Sequence, residues 1–140
     1  MTLLVVDASV VIEYLIQGPY TDSVRDFFAH VAADDRLLIP EFGLLECTNV
    51  IWKQIRFNQM PVDNAQTLVG HLRRMPLQRV PLKSSLDTAL TLAIRHTLSV
   101  YDSAYIAIAQ RADAPLVSLD QSQRRAATAE GVLLAPVGDL

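Results

Sequence analysis

Short apolar runs alternating with longer helical patterns constrain this chain more than any other feature. Residues 3–6, 37–39, 77–80, 116–119 and 132–134 read as strands. Between them, residues 8–16, 20–34, 40–58, 61–75, 83–97, 101–112 and 121–129 carry helical spacing or helix-start signals. Gly18-Pro19 ends the first helix, and Val24, Phe27, Phe28 and Val31 mark the apolar face of the second. Pro40 and Pro61 open the next two, Ser99 caps the helix over 101–112, and Gly131 ends the last. Strands that are apolar throughout and separated by helices belong in a parallel sheet covered on both faces. The expectation is a doubly wound α/β fold in one domain, 1–140. In such sheets, sites form beyond the carboxyl ends of the strands, so the residues following each strand matter most.

Composition then removes alternatives. At 140 residues and a hydrophobic fraction of 51%, the chain buries a real core without cross-links, and disorder is excluded. Cys47 is the only cysteine, so there is no disulfide framework and no cysteine-rich zinc site. That cysteine usage suits a reducing compartment. The start, Met-Thr-Leu-Leu-Val-Val-Asp, has no basic leader region, and no apolar run is long enough to span a bilayer. Together these predict a cytoplasmic protein with no membrane partner. The five glycines, at 18, 43, 70, 131 and 138, assemble no dinucleotide loop, phosphate loop or nucleophile elbow. His30, His71 and His96 lie in separate helices without zinc-ligand spacing. His96 reads as a helix C-terminal residue.

Two strands run into an aspartate: Leu-Leu-Val-Val into Asp7, and Leu-Val-Ser-Leu into Asp120. Each aspartate also precedes a helix, where it is a preferred N-cap, and Gln123 three residues after Asp120 resembles a capping box. Asp102 opens a helix that is apolar nearly all round, from Ala104 to Ala109. Such a helix is buried, and Asp102 partly so; Ser99-x-x-Asp102 is again a capping-box pattern. Glu46 lies mid-helix with Asn49, Lys53 and Arg56 on one stripe, either a solvated face or the wall of a groove. Glu41 ranks lower, because in the first turn after Pro40 a carboxylate is simply favoured by the helix dipole. The apolar helices over 20–34 and 41–57 could supply an interface between chains or equally be core, and their phenylalanines and Trp52 read as core more than as contact surface.

Four crowded carboxylates repel one another, and protons or cations must resolve that. Hard divalent cations prefer oxygen ligands, and Mg²⁺ takes one or two carboxylates while keeping waters for substrate phosphates. A carboxylate pair for glycoside hydrolysis is the other option, but four acids exceed what that reaction needs.

The ordered set of these pieces resembles the PIN-domain family, in particular the VapC toxins of toxin–antitoxin pairs. The pieces are Val-Val-Asp7-Ala-Ser9, Pro40 followed by Glu46-Cys-Thr-Asn49, Tyr101-Asp102-Ser-Ala-Tyr-Ile-Ala-Ile-Ala, and Leu-Val-Ser118-Leu-Asp120 followed by Gly131-Val-Leu-Leu. The resemblance implies a three-layer α/β/α fold with a mostly parallel sheet of four to five strands. It implies a metal-dependent endoribonuclease in which Asp7, Glu46, Asp102 and Asp120 hold Mg²⁺ or Mn²⁺ and place an attacking water on a phosphodiester. Ser9, Asn49 and Ser118 match supporting polar positions; the family more often has threonine at the last. A homodimer and a small VapB-like antitoxin partner are implied as well. The same residues would serve a PIN-type nuclease outside a toxin pair. In a catalytically silent interaction module they would be caps and surface charge. A phosphoacceptor receiver domain lacks its required acidic pair and lysine here.

Charge bears on the RNA. Twelve basic and fifteen acidic residues give −3, which disfavours a polybasic binder. Residues 1–70 carry nine acids and four bases, whereas 71–140 carry six acids and eight bases. Setting aside the four proposed ligands turns −3 into +1. The candidate phosphate contacts are Lys53, Arg56, Arg73, Arg74, Arg124 and Arg125, with Arg79, Lys83 and Arg95 nearby in sequence. Without metal the cleft should repel RNA, and with metal it should attract it.

Overall fold

A computed structural model describes residues 1–140. Its elements are β1 (Leu3–Val6), α1 (Ala8–Leu15), α2 (Thr21–Ala29), β2 (Arg36–Pro40), α3 (Gly43–Asn58), α4 (Val62–Arg74) and β3 (Leu77–Val80). After a 3₁₀ turn at Lys83–Ser85 come α5 (Leu86–His96), α6 (Val100–Ala112), β4 (Leu116–Val117) and α7 (Gln121–Ala129). The four strands form one parallel sheet in the order β3-β2-β1-β4. The chain leaves β1 toward β2 and β3, then crosses back to place β4 on the other side of β1. The β1/β4 boundary is therefore the topological switch point, where the strand C-termini open a crevice.

The core explains why the strands carry no polar alternation. Val5, Val6, Leu37, Leu38, Ile39, Leu116 and Val117 are all buried in one cluster with Val10 and Val11 of α1. Helix α6 is buried along its whole middle, from Ser103 to Ala109, and packs on β1, β2 and β4 with α5 and α7 beside it. The apolar-all-round pattern predicted this burial. No helix is long and apolar enough to cross a membrane.

Several boundaries differ from expectation, each for a local reason. The second helix stops at Ala29 rather than 34, because Asp35 gathers the next segment into a loop. Its carboxylate accepts from Ala32 N (2.8 Å) and Thr2 N (2.9 Å). Pro40 does not open a helix; it closes β2 opposite Val80, and α3 starts at Gly43. Glu41 consequently sits in a turn rather than a first helical turn. Its N–H donates to Val80 O and its carboxylate accepts from Leu82 N. Pro61 is the N-cap of α4 rather than its first residue. The helix over 83–97 is split into the 3₁₀ turn and α5. Strand β4 is two residues, not four, because the Leu119 N–H that would extend the ladder donates instead to Ser9 Oγ (3.1 Å). The strand over 132–134 is reduced to an isolated bridge from Leu134 to Leu116, with Pro136, which has no N–H, two residues on. Trp52 is 52% exposed and Phe57 65% exposed. Gly43, Cys47 and Ile51 form the buried face of α3, and one residue past Ile51 the helix has turned about 100° from it.

His96 does end α5, and it is also part of a joint. Glu130, after α7, accepts from Arg95 Nη1 (2.8 Å) and His96 Nε2 (2.6 Å). These two bonds hold the Glu130 carboxyl below its ordinary range, the Arg95 bond contributing most. A depressed acid contributes stability above its unfolded value, and that stability is lost as pH falls through the lower folded value. Glu130→Gln should therefore lower Tm at pH 7 by about 4 °C, or roughly 1 kcal/mol once screening at the half-exposed Arg95 is allowed for. The gap to wild type should close below pH 4 in melts followed by circular dichroism.

Candidate active site

The four acids reach the switch point by four different local routes. Asp7 follows β1 and caps α1, its Oδ2 accepting from Ser9 N (3.1 Å). Asp120 follows β4 and caps α7, its Oδ1 accepting from Gln123 N (2.8 Å). Asp102 lies in the first turn of α6, where its N–H donates to the N-cap Ser99 Oγ (3.0 Å). Glu46 projects from α3 and accepts from the Tyr105 hydroxyl of α6 (2.7 Å). The capping interpretation of both aspartates and of Ser99 is thus correct as local structure, and it is also what fixes the carboxylates at the crevice.

Burial falls from one side of the cluster to the other. Asp7 is 5% exposed, Glu46 and Asp102 are half-buried and Asp120 is exposed. Burial pushes the Asp7, Glu46 and Asp102 carboxyls up. The Asp102 charge adds to this at Asp7, the Asp7 and Asp102 charges at Glu46, and the Asp120 charge at Asp102. The acids therefore feel one another. No cation offsets them, since every ion pair in the chain involves Asp26, Asp34 or Glu130 instead. The Tyr105 hydroxyl, buried beside these charges, is driven far above its usual value, burial being the main cause. Cys47 is likewise pushed up to about 12, chiefly by burial and then by Glu46 and Asp7. A thiol so held is protonated and no nucleophile.

An uncompensated all-oxygen donor set, buried at Asp7 and open to solvent at Asp120, fits a hard divalent cation. No three His, Cys, Asp or Glu side chains converge as a direct ligand group. What fits is the Mg²⁺ habit of one or two carboxylates with waters bridging to the rest.

The supporting residues do structural work at the same place. Ser9 Oγ ties the end of β4 to α1 through Leu119 N. Ser118, fully buried, accepts from Asp120 N through its Oγ (3.0 Å) and from Arg124 Nη1 through its carbonyl (2.9 Å). Asn49 lines a groove of about 690 Å³ with Phe42, Leu45, Glu46, Thr48, Trp52 and Tyr101. The Glu46 stripe is therefore a groove wall at Glu46 and Asn49. Lys53 and Arg56 continue it as exposed cations, Arg56 lying 5.0 Å over the Phe57 ring. Arg73, Arg74, Arg79, Lys83 and Arg125 are exposed, Arg95 is paired with Glu130, and Arg124 is engaged with Ser118.

Two residues at the site escaped sequence reasoning. Tyr105 was legible only as part of a buried helix. Gln123 had the capping-box spacing, but its side chain does not reach back to Asp120 N, which Ser118 already holds. It turns inward, fully buried, with Nε2 on Asp102 O (3.1 Å) and Asp7 Oδ1 (3.4 Å). Its backbone satisfied the pattern, so nothing local signalled the second contact.

A PIN domain family model matches residues 4–129 of the chain. Ribonuclease VapC3 of Pyrobaculum aerophilum is 27% identical over 120 residues, covering 84% of this chain and 89% of that protein. VapC20 of Mycobacterium tuberculosis, described as a sarcin-ricin loop cleaving toxin, superimposes with a TM-score of 0.71 at 13% identity, covering 94% of this chain and 98% of its own. VapBC2 of Rickettsia felis, solved on a DNA fragment from its promoter, gives 0.68 at 14% identity, covering 96% and 98%.

Proposed function

This chain belongs to the PIN-domain family, and on that premise we propose that it is a Mg²⁺- or Mn²⁺-dependent endoribonuclease acting as the toxin of a toxin–antitoxin pair. The observation that carries the reading is that Asp7, Glu46 and Asp102 feel one another's charge beside the strand ends, Asp102 also feels Asp120, and no cation pairs with any of them. The names of VapC3 and VapC20 support RNA as the substrate class, and the VapBC2 assembly supports a protein partner.

We assign Asp7 and Asp102 to hold the cation, with Asp120 joining directly or through water. When bound, the cation supplies charge stabilisation on a phosphate oxygen and lowers the pKa of a coordinated water. Glu46, steadied by Tyr105, either completes the shell or orients the attacking water. Ser9 and Ser118 keep the β1 and β4 ends in register. RNA lies along the α3 groove, with Lys53 and Arg56 on its phosphates. The test is cleavage of RNA with and without EDTA: activity should vanish on chelation and return with Mg²⁺ or Mn²⁺. Cleavage that persists in EDTA overturns the metal requirement.

The groove assignment has its own signature. Lys53→Ala and Arg56→Ala should each reduce the slope of log affinity against log salt by about one. Arg124→Ala should leave the slope alone and lower Tm, since its guanidinium is held by Ser118 O. Filter-binding titrations across salt read both. The toxin role predicts growth arrest on expression and a small open reading frame beside this one whose product relieves it. The homodimer would use the apolar stripe of α5, where Leu86, Leu90 and Ile94 are 56%, 54% and 73% exposed. Ile94→Glu should then halve the mass seen by light scattering.

A further inference from the structure

We infer that Gln123 is a positioning residue that sets Asp7 against Asp102 and thereby governs how tightly a divalent cation is held at the acidic crevice. The inference rests on the metal-dependent reading above and adds a residue to it.

Gln123 contacts three of the four acidic residues, Asp120 through its backbone and Asp7 and Asp102 through its side chain. Its backbone N–H donates to Asp120 Oδ1 (2.8 Å), while its side-chain amide donates to Asp102 O (3.1 Å) and, at 3.4 Å, to Asp7 Oδ1. It thus links the ends of β1 and β4 to the first turn of α6. Asp7 is gripped from both oxygens, since Ser9 N holds Oδ2. A carboxylate held at both oxygens has a fixed plane, and its remaining lone pairs have a fixed direction. Contacts of this kind to a ligating side chain tune metal affinity.

The amide orientation is forced. Turning it over would set Oε1 against the Asp102 carbonyl and the Asp7 carboxylate, acceptor against acceptor. With the nitrogen inward, Oε1 is buried without any partner, a status it shares only with Ser103 Oγ. A buried unpaired carbonyl destabilises the fold. A methionine of similar length would fill the same space without that penalty. The amide is therefore not there for packing. The two hydrogens it aims at the Asp7 carboxylate and the Asp102 carbonyl are what the position gains.

The test compares wild type with Gln123→Met, using Gln123→Leu as a second apolar replacement. Each full-length protein is melted without metal, titrated with Mn²⁺ by calorimetry and assayed on RNA. The expected Met variant melts at or above the wild-type temperature, binds Mn²⁺ about tenfold more weakly, and loses kcat with KM unchanged. A variant that binds Mn²⁺ as the wild type does overturns the inference and leaves the metal reading standing. So does one that only loses Tm, or a failure of both variants to fold, since each marks a packing role. A wild type that binds no Mn²⁺ overturns both.

Discussion

Replacing Asp7 with asparagine should abolish divalent-metal-dependent RNA cleavage, by about 1000-fold or more, while leaving the metal-free protein as stable as wild type or more so. A loss of that size corresponds to about 4 kcal/mol of transition-state stabilisation, in keeping with removal of a ligand charge at the centre of the site. The stability half of the prediction comes from burial. Asp7 is an acid whose folded value is raised, so its ionised form is worse off folded than unfolded. That penalty is fully present above the folded value and disappears as pH falls toward the ordinary carboxylate range. Asparagine keeps the N-cap of α1, because it caps as well as aspartate does. The variant's Tm advantage should therefore be seen at pH 7 and fade toward pH 4. Thermal melts at both pH values, beside an EDTA-controlled cleavage assay, check it. Undiminished cleavage by a well-folded Asp7→Asn protein would falsify the metal assignment.

The second large effect is at Gly43, where local propensity and packing point in opposite directions. Alanine in a helix is favoured over glycine by about 1 kcal/mol, and Gly43 is the first residue of α3. Here, however, an added Cβ would overlap Ile39 Cγ1 and come within 2.5 Å of Cδ1, with the Tyr105 hydroxyl at 3.3 Å. Ile39 is fully buried and has nowhere to go. Gly43→Ala should cost about 2–3 kcal/mol, or on the order of 8 °C in Tm. Because α3 must lift away from β2 and Tyr105, the Glu46–Tyr105 bond should loosen and kcat fall together with Tm. An unchanged or raised melting temperature would show that α3 tolerates the methyl group and would remove packing as the reason for glycine.

Much of this molecule was legible beforehand because its strongest signals are periodic. The apolar runs of β1 and β2 and the unbroken apolar stretch of α6 could not be satisfied except by burial. Aspartates at the ends of β1 and β4 had to lie at the open edge of a parallel sheet. Boundaries were legible where the deciding signal lay within a few residues, as for β1, β3 and the cap of α6. Ser99 caps α6 as its spacing said. Pro40 was misread because a proline that starts a helix and one that ends an edge-paired strand look alike until Val80 is placed opposite. The shortening of β4 depended on Ser9, 110 residues away, and the exposure of Trp52 on which face of α3 met the sheet.

Sequence alone settled the alternation of strands and helices, the burial of α6, and the capping roles of Asp7, Ser99 and Asp120, since all of these follow from neighbours within one or two turns. The tertiary structure decided the rest. The crossover that puts β4 beside β1 makes the switch point, brings the acids within reach of each other's charge, and turns Glu46 and Asn49 into a groove wall. It also swings Gln123 inward, because only in the folded sheet do Asp7 and the Asp102 carbonyl stand close enough for one amide to hold both.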